Sequence, residues 1–275
     1  MLTDYHLHLR PDSRSATAEQ FFTAANAERY REQATELGIT ELGVSEHVYR
    51  FSAALEIWDH PFWRRYAHDD LDAYIEFVRE ETDLKLGIEM DFLPGREDRI
   101  ANVLDGRPWD YVVGSIHFLR DVSLDSEDYS IWGAGESADK VWRRYFETLA
   151  ESARSGLYDI IGHPDLVKVW GKDAPVPDGD LRRFYDIAVE AFADSGVAVE
   201  FSTAGWRKPV GEQYPAVPYL EMLVDAGCPI ALSSDAHTID QIGFEYERAL
   251  KVMESVGIGE IAVFERRERR MEPVG

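Results

Sequence analysis

The first residues in the chain that could do chemistry are His6 and His8, in the segment Thr3-Asp4-Tyr5-His6-Leu7-His8. Side chains two residues apart on a β-strand point to the same face, so the two imidazoles project together. Two neutral imidazoles on one face form a pair of ligands for a transition metal ion. Because His-x-His also occurs by chance in surface strands, the pair predicts a metal site only if later strands supply further ligands.

Later strands do supply such residues. Six of the eight histidines lie at or just beyond the carboxyl ends of predicted strands, with Glu89 and Asp235 in the same layer. A single histidine is most simply explained as a hydrogen-bonded, partly buried ring, but six such positions would require repeated coincidence. The strand ends of an α/β barrel converge on one face, so the set predicts a site for more than one metal ion, for which its nitrogen and oxygen donors suit Zn, Mn or Fe. The predicted ligands are His6, His8, His47, Glu89, His117, His163, Asp235 and His237. The remaining two, His60 and His68, are assigned to a solvated or lid-like segment.

The elements that must position these residues alternate between short apolar strands and helices along the whole chain. Continuous apolar strands are typical of a parallel sheet buried on both faces. Seven or eight such units without a linker favour one domain with a closed barrel. The predicted strands begin at Thr3 and then span 39–45, 84–90, 111–116, 157–161, 197–201, 229–233 and 261–264. The predicted helices span 17–37, 70–82, 95–104, 137–155, 178–195, 219–226 and 239–255.

Composition limits the classes of function. A chain of 275 residues with 45% hydrophobic and 12% aromatic residues suits a packed globular core. A net charge of -23 repels nucleic acid and anionic membranes, so neither is an expected partner. The lack of a long apolar run and of a signal-peptide pattern predicts a cytoplasmic protein. The single cysteine, Cys228, excludes an internal disulfide and a Cys-rich zinc site, and its apolar neighbours predict a buried thiol.

The candidate ligands lie within motifs that resemble those of the polymerase and histidinol phosphatase (PHP) superfamily. The resemblance covers nearly the whole chain and implies one PHP-type domain over residues 1–275, a distorted (β/α)7 TIM-like barrel with metal ions at the carboxyl ends of its strands. A long loop, Thr203-Ala-Gly-Trp-Arg-Lys-Pro-Val-Gly-Glu-Gln-Tyr-Pro215, resembles the histidinol-phosphatase branch, which implies hydrolysis of L-histidinol phosphate in histidine biosynthesis. The motifs are His6-Leu-His8, Ser45-Glu-His47, Gly87-Ile-Glu-Met-Asp91, Gly114-Ser-Ile-His117, Gly162-His-Pro-Asp165 and Ser233-Ser-Asp-Ala-His237.

The resemblance also implies how the ligands are shared. One ion would be held by His6, His8, Glu89 and Asp235; Glu89 would bridge to a second ion held by His117 and His163; His47 and His237 would serve a third.

The chain departs from the resemblance at two positions. Many relatives carry a further histidine six residues after the second histidine of the first motif, where this chain has Arg14, with Asp12 as the nearest oxygen donor. We therefore expect the third ion to use Asp12, to be weakly bound or to be absent. Ser202 stands where relatives often have asparagine, which would alter a contact behind the ligands.

A phosphomonoester needs charge neutralisation and a nucleophile, and two metal ions about 3.5–4 Å apart supply both through a bridging hydroxide. Glu89, Asp235 and His237 are the predicted catalytic residues. Arg207, with Lys208, is predicted to clamp the phosphate because a guanidinium offers two parallel donors. The groups of the substrate other than the phosphate are expected to contact Glu46, Trp206 and the aromatic segment 51–66. This segment is equally well explained as a lid over the site or as a small hydrophobic core under a long loop.

Three alternatives remain open at this point. The chain could be a PHP-type nucleotide phosphodiesterase or exonuclease, another small-molecule phosphatase, or a metal-binding module without activity. The lack of basic stripes disfavours long nucleic-acid substrates, and an inactive module would have lost several ligands. The sequence also leaves open whether the protein forms a homo-oligomer.

Overall fold

The computed structural model describes residues 1–13 and 15–275, so Arg14 lies outside the described residues. The strands in chain order are β1 Thr3–Asp4, β2 Glu41–His47, β3 Lys85–Asp91, β4 Tyr111–Ser115, β5 Phe118–Leu119, β6 Val122–Ser123, β7 Ile160–Ile161, β8 Ala198–Ser202, β9 Ile230–Ser233, β10 Glu260–Glu265 and β11 Glu268–Pro273. The α-helices are α1 Ala18–Phe21, α2 Ala24–Glu36, α3 Ala54–Ile57, α4 Pro61–Arg64, α5 Leu71–Glu81, α6 Glu97–Leu104, α7 Ala138–Arg154, α8 Arg182–Ser195, α9 Val217–Asp225 and α10 Tyr246–Ser255.

The main sheet is a nearly closed barrel. Within the described part of the chain, seven parallel strands pair in the order β1-β2-β3-β4-β7-β8-β9. A bridge between Leu7 and Ala236 joins the two ends of this order, and the His8 amide donates to the Ala236 carbonyl at 2.7 Å. The predicted distorted (β/α)7 TIM-like barrel is therefore confirmed.

The amino-terminal end of the barrel interior is filled by aromatic rings. The Tyr5 ring lies 4.9 Å from the Tyr111 ring and 5.8 Å from Phe264 of β10, measured between centroids. Glycine is required beside Tyr111, because a Cβ atom added at Gly87 would lie 2.3 Å from this ring. The apolar packing at this end leaves the carboxyl ends of the strands as the polar end of the barrel.

Helices pack on the outside of the barrel and form the larger hydrophobic core. Helix α5 begins where the sequence predicts, because the Asp70 carboxylate accepts hydrogen bonds from the amides of Asp72 and Ala73. Cys228 is buried in this core, as predicted. No helix among the described residues has the length and apolar character needed to cross a bilayer.

The structure corrects several predicted elements. The helix predicted over 17–37 is interrupted between α1 and α2. The helix predicted over 239–255 starts only at Tyr246, because Gly243 and Glu245 have left-handed φ values of 59° and 57°. The last predicted strand is not part of the barrel sheet but pairs with β11. Strand β11 was not predicted, because Glu-Arg-Arg-Met-Glu-Pro has no apolar alternation. The hairpin of β5 and β6 was not predicted either, because each of its strands has only two residues.

Candidate functional site

A cavity of about 510 Å³ contains residues from the carboxyl ends of the barrel strands. Its walls are formed by the loops that follow these strands. His6 and His8 are fully buried beneath it. The predicted ligands that line the cavity, together with Asp12, are His47, Glu89, His117, His163, Asp235 and His237.

We call the eight predicted ligands the floor cluster, and Glu89 lies at its centre. The members are His6, His8, His47, Glu89, His117, His163, Asp235 and His237. Glu89 projects from β3 directly opposite His47 of β2, and the His47 ring is in contact with its carboxylate. Ser115 donates a hydrogen bond of 2.7 Å to Glu89 Oε1. Ring nitrogens surround both carboxylate oxygens: Oε1 lies 3.3 Å from His6 Nε2, 3.3 Å from His117 Nε2 and 3.2 Å from His163 Nε2, and Oε2 lies 3.6 Å from His8 Nε2.

Asp235 and His237 complete the floor cluster from the loop after β9. Asp235 Oδ1 lies 3.7 Å from His6 Nε2 and 3.5 Å from His8 Nε2. His237 Nε2 lies 2.8 Å from Asp12 Oδ2 and 3.4 Å from His47 Nε2. Asp12 therefore lies beside the pair of histidines assigned to the third ion.

The floor cluster fits divalent metal ions. Buried polar atoms without partners are costly, yet His6 Nε2, His8 Nε2 and Glu89 Oε2 are buried and form no hydrogen bond with any described residue. Nitrogen and oxygen donors of this kind suit transition metals. Four overlapping groups have candidate ligand atoms within 4.8 Å of one another: His6, His8 and Asp235; His6, Glu89 and His163; His47, Glu89 and His117; His8, His47 and His237.

Two carboxylates behind the histidines were not predicted. Glu200 Oε1 lies 2.8 Å from His6 Nδ1, and Asp91 Oδ1 lies 2.9 Å from His117 Nδ1. Such partners orient the ring so that Nε2 faces the metal site. The sequence did carry a signal, because Glu200 is a charged residue within a buried apolar strand and Asp91 lies two residues after Glu89 on β3.

The electrostatics of the floor cluster favour bound cations. Burial alone would raise the pKa of Glu89, but His47, His6 and His117 hold it well below its usual range. Burial alone would lower the pKa of His117, but the Asp91 and Glu89 carboxylates raise it to about 10. Burial lowers the pKa of His47 to about 3 despite the Glu89 carboxylate beside it.

Two candidate ligands have a left-handed backbone, with φ values of 26° at His163 and 52° at Asp235. Such conformations are rare for residues other than glycine, and the surrounding structure must hold them. Tyr145 donates a hydrogen bond of 3.2 Å to the His163 carbonyl. Arg207 Nη2 donates to the carbonyls of Ser234 and Asp235 at 2.9 and 2.8 Å.

Arg207 is therefore not placed as predicted. Its guanidinium supports the turn at Asp235 and lies 5.2 Å from the Phe244 ring centroid, outside the cavity lining. The neighbouring Lys208 is exposed and lines the cavity, and among the described lining residues it is the only lysine or arginine. Of the two predicted phosphate-binding residues, only Lys208 faces the cavity.

Glu46 and Trp206 also lie elsewhere than predicted. Glu46 is fully buried, where it pairs with Arg50 and accepts a hydrogen bond of 2.8 Å from the Leu9 amide. Burial raises the pKa of Glu46, but Arg50, His8 and the Arg10 amide together outweigh burial and lower it to about 2. Trp206 packs against Arg248, whose guanidinium carbon lies 4.3 Å from the ring centroid. Neither side chain lines the cavity.

The aromatic segment 51–66 divides between the two predicted alternatives. Phe51, Trp58 and Trp63 are buried in the core, whereas Phe62 and Tyr66 line the cavity. His68 is exposed. The prediction of a solvated position is wrong for His60, which is buried with its ring stacked 4.0 Å from Trp58.

Comparisons with known proteins agree with the motifs. Residues 12–204 match the PHP domain family. The chain is 34% identical over 278 residues to a Deinococcus radiodurans protein named probable histidinol-phosphatase, covering 99% of each protein. It is 27% identical over 249 residues to the histidinol-phosphatase of Bacillus subtilis, covering 81% of this chain and 91% of that protein. In fold it is similar to the crystal structure of histidinol phosphate phosphatase from Lactococcus lactis complexed with zinc, L-histidinol and phosphate, with a TM-score of 0.72, 19% identity and 98% of both chains covered.

Proposed function

The chain belongs to the PHP domain family, and we propose that it is a metal-dependent phosphomonoesterase that hydrolyses L-histidinol phosphate to L-histidinol and phosphate. The observation that carries this proposal is the floor cluster, in which Glu89 faces ring nitrogens from separate strands at the base of an open cavity. The full-length similarity to a probable histidinol-phosphatase supports the choice of substrate.

We assign the metal ligands as follows. His6, His8, Glu89 and Asp235 would hold one divalent ion. Glu89, His117 and His163 would hold a second, and Asp12, His47 and His237 would hold a third. Divalent ions at such sites polarise phosphoryl oxygens and lower the pKa of water. The nitrogen and oxygen donors suit Zn, Mn or Fe alike.

The remaining roles follow from which side chains reach the cavity. Lys208 binds the phosphate through its ammonium, which offers three donors. Asp235 accepts a hydrogen bond from the attacking water and so orients it. His237 gives a proton to the leaving oxygen when no third ion is bound, a role that its contact with Asp12 at 2.8 Å supports. Arg207 does not bind the phosphate. It contributes by holding the turn at Ser234 and Asp235, whose carbonyls accept its hydrogen bonds.

The experiment is a substrate panel with defined metals. The purified protein is stripped of metal, reloaded with Zn, Mn or Fe, and assayed for phosphate release from L-histidinol phosphate, aryl and sugar phosphates, and a phosphodiester. We expect kcat/KM for L-histidinol phosphate to exceed that of the other esters by at least about tenfold. The Glu89→Gln protein, purified in the same way, controls for contaminating phosphatases. A preference for the phosphodiester, or no preference, contradicts the proposal.

A further inference from the structure

We infer that the rim of the cavity contains a recognition subsite for a positively charged organic group, formed by an aromatic wall and the carboxylate of Asp125. The aromatic wall consists of Tyr49, Phe62, Tyr66 and Phe118, all of which line the cavity. The inference rests on the proposed function, since it names the part of the same site that selects phosphomonoesters with a cationic organic part over neutral ones.

The aromatic wall is one continuous surface. The centroid of Phe62 lies 5.5 Å from Tyr49, 5.0 Å from Tyr66 and 5.3 Å from Phe118. The wall adjoins the floor cluster, because the Tyr49 ring stacks on His47 at 4.6 Å. Aromatic faces attract cations and pack against flat rings. A planar or cationic group joined to a phosphate at the floor cluster would therefore contact this wall.

Asp125 lines the same cavity as the aromatic wall, and its own turn holds it in place. It follows strand β6, and Ser123 Oγ donates a hydrogen bond of 2.9 Å to Asp125 Oδ1. The same hydroxyl accepts a hydrogen bond of 3.1 Å from the Ser126 amide, so the turn fixes the position of the carboxylate. Asp125 forms no ion pair with a described residue, unlike most acids around the floor cluster. Its negative charge is thus available to a ligand in the cavity.

Charges of both signs line the cavity. Lys208 is among the lining residues, as are Asp125, Glu127 and the aromatic wall. A ligand that carries both a phosphate and a cation matches this lining, because each group can meet the opposite charge. A sugar or aryl phosphate gains the phosphate contacts but leaves Asp125 without a partner. The rim therefore favours an amino-bearing substrate such as L-histidinol phosphate.

The test compares two substrates that differ only in the cation. The Asp125→Asn variant and the wild type are assayed with L-histidinol phosphate and with 3-(imidazol-4-yl)propyl phosphate, which lacks the amino group. We expect the variant to lose about tenfold or more in kcat/KM for L-histidinol phosphate and to change less than about twofold with the analogue. The Asp125→Glu variant keeps the charge and should retain most of the preference. Asp121→Asn, which removes an acid from the same hairpin but outside the cavity, is the matched control.

Binding of L-histidinol without phosphate, measured by calorimetry, separates this inference from the proposed function. If the wild type binds L-histidinol and Asp125→Asn does not, the subsite stands even where turnover of the phosphate ester fails. If the wild type hydrolyses L-histidinol phosphate but Asp125→Asn affects both esters equally, or neither, the function stands and the subsite is overturned. Unchanged metal content and melting temperature of each variant confirm that the comparison concerns folded, loaded protein.

Discussion

The floor and the rim of the cavity are built from different kinds of structure. Glu89, His47 and Asp91 project from paired strands, and their neighbours hold them through short, buried contacts. Lys208 and Asp125, at the rim, lie on loops and are exposed. Strands position side chains more rigidly than loops do. We therefore expect substitutions in the floor to affect every substrate strongly, and substitutions in the rim to have smaller effects.

The largest effect is expected for Glu89→Gln. The amide keeps the shape of the side chain but removes the charge that faces five histidines, so we expect kcat to fall by at least about 10²-fold for all phosphoesters. Circular dichroism should show an intact fold. Elemental analysis should show reduced metal content, and a fully loaded Glu89→Gln protein would contradict the central position of Glu89.

The same comparison shows what the sequence could predict. Alternation along a strand places Gly87, Glu89 and Asp91 on one face, so the floor cluster followed from motif spacing and from the convergence of strand ends. The placement of Arg207, Glu46 and Trp206 did not follow. A sequence pattern does not say which way a loop side chain such as Arg207 or Trp206 points. Glu46 lies on a strand, but its side chain pairs with Arg50 instead of lining the cavity.

A smaller effect in the floor is expected for Glu200→Gln. Loss of the charge behind His6 weakens the orientation of that ring, so we expect a loss of about 10–100-fold in metal affinity. Metal competition with a chromophoric chelator measures it. Glu190→Gln, on the exposed face of α8, is the matched control. Equal metal affinity in both variants would show that Glu200 does not support the site.

Lys208→Met, at the rim, and Arg207→Met, outside the cavity lining, should behave differently although the two residues are adjacent in sequence. Lys208→Met should raise KM and the inhibition constant of inorganic phosphate by about tenfold without changing the melting temperature. Arg207→Met leaves the carbonyls of Ser234 and Asp235 without their donor, which should cost about 1–3 kcal/mol of stability. Thermal unfolding and phosphate inhibition together distinguish the two. If Arg207→Met alone weakens phosphate inhibition while the melting temperature is unchanged, the assignment is reversed.

The smallest effect is expected for Asp12, which lies where the floor meets the rim. Asp12→Asn should lower the metal stoichiometry by about one ion while activity falls only a few-fold, because the two ions around Glu89 remain. Arg14→His, at the position where the family resemblance implies a histidine in many relatives, should restore the lost ion in the Asp12→Asn background. A stoichiometry that is the same in the wild type and in Asp12→Asn would show that Asp12 is not a ligand.

The most direct test of the account is anomalous X-ray diffraction from crystals of the metal-loaded protein, recorded on both sides of the absorption edge of the metal. The account predicts at least two anomalous peaks in the floor cluster. Both peaks should lie about 2.0–2.2 Å from an oxygen of Glu89, one also near His6 and His8 and the other near His117 and His163. Peaks confined to other parts of the molecule, or a loaded protein with none in the floor cluster, would contradict it.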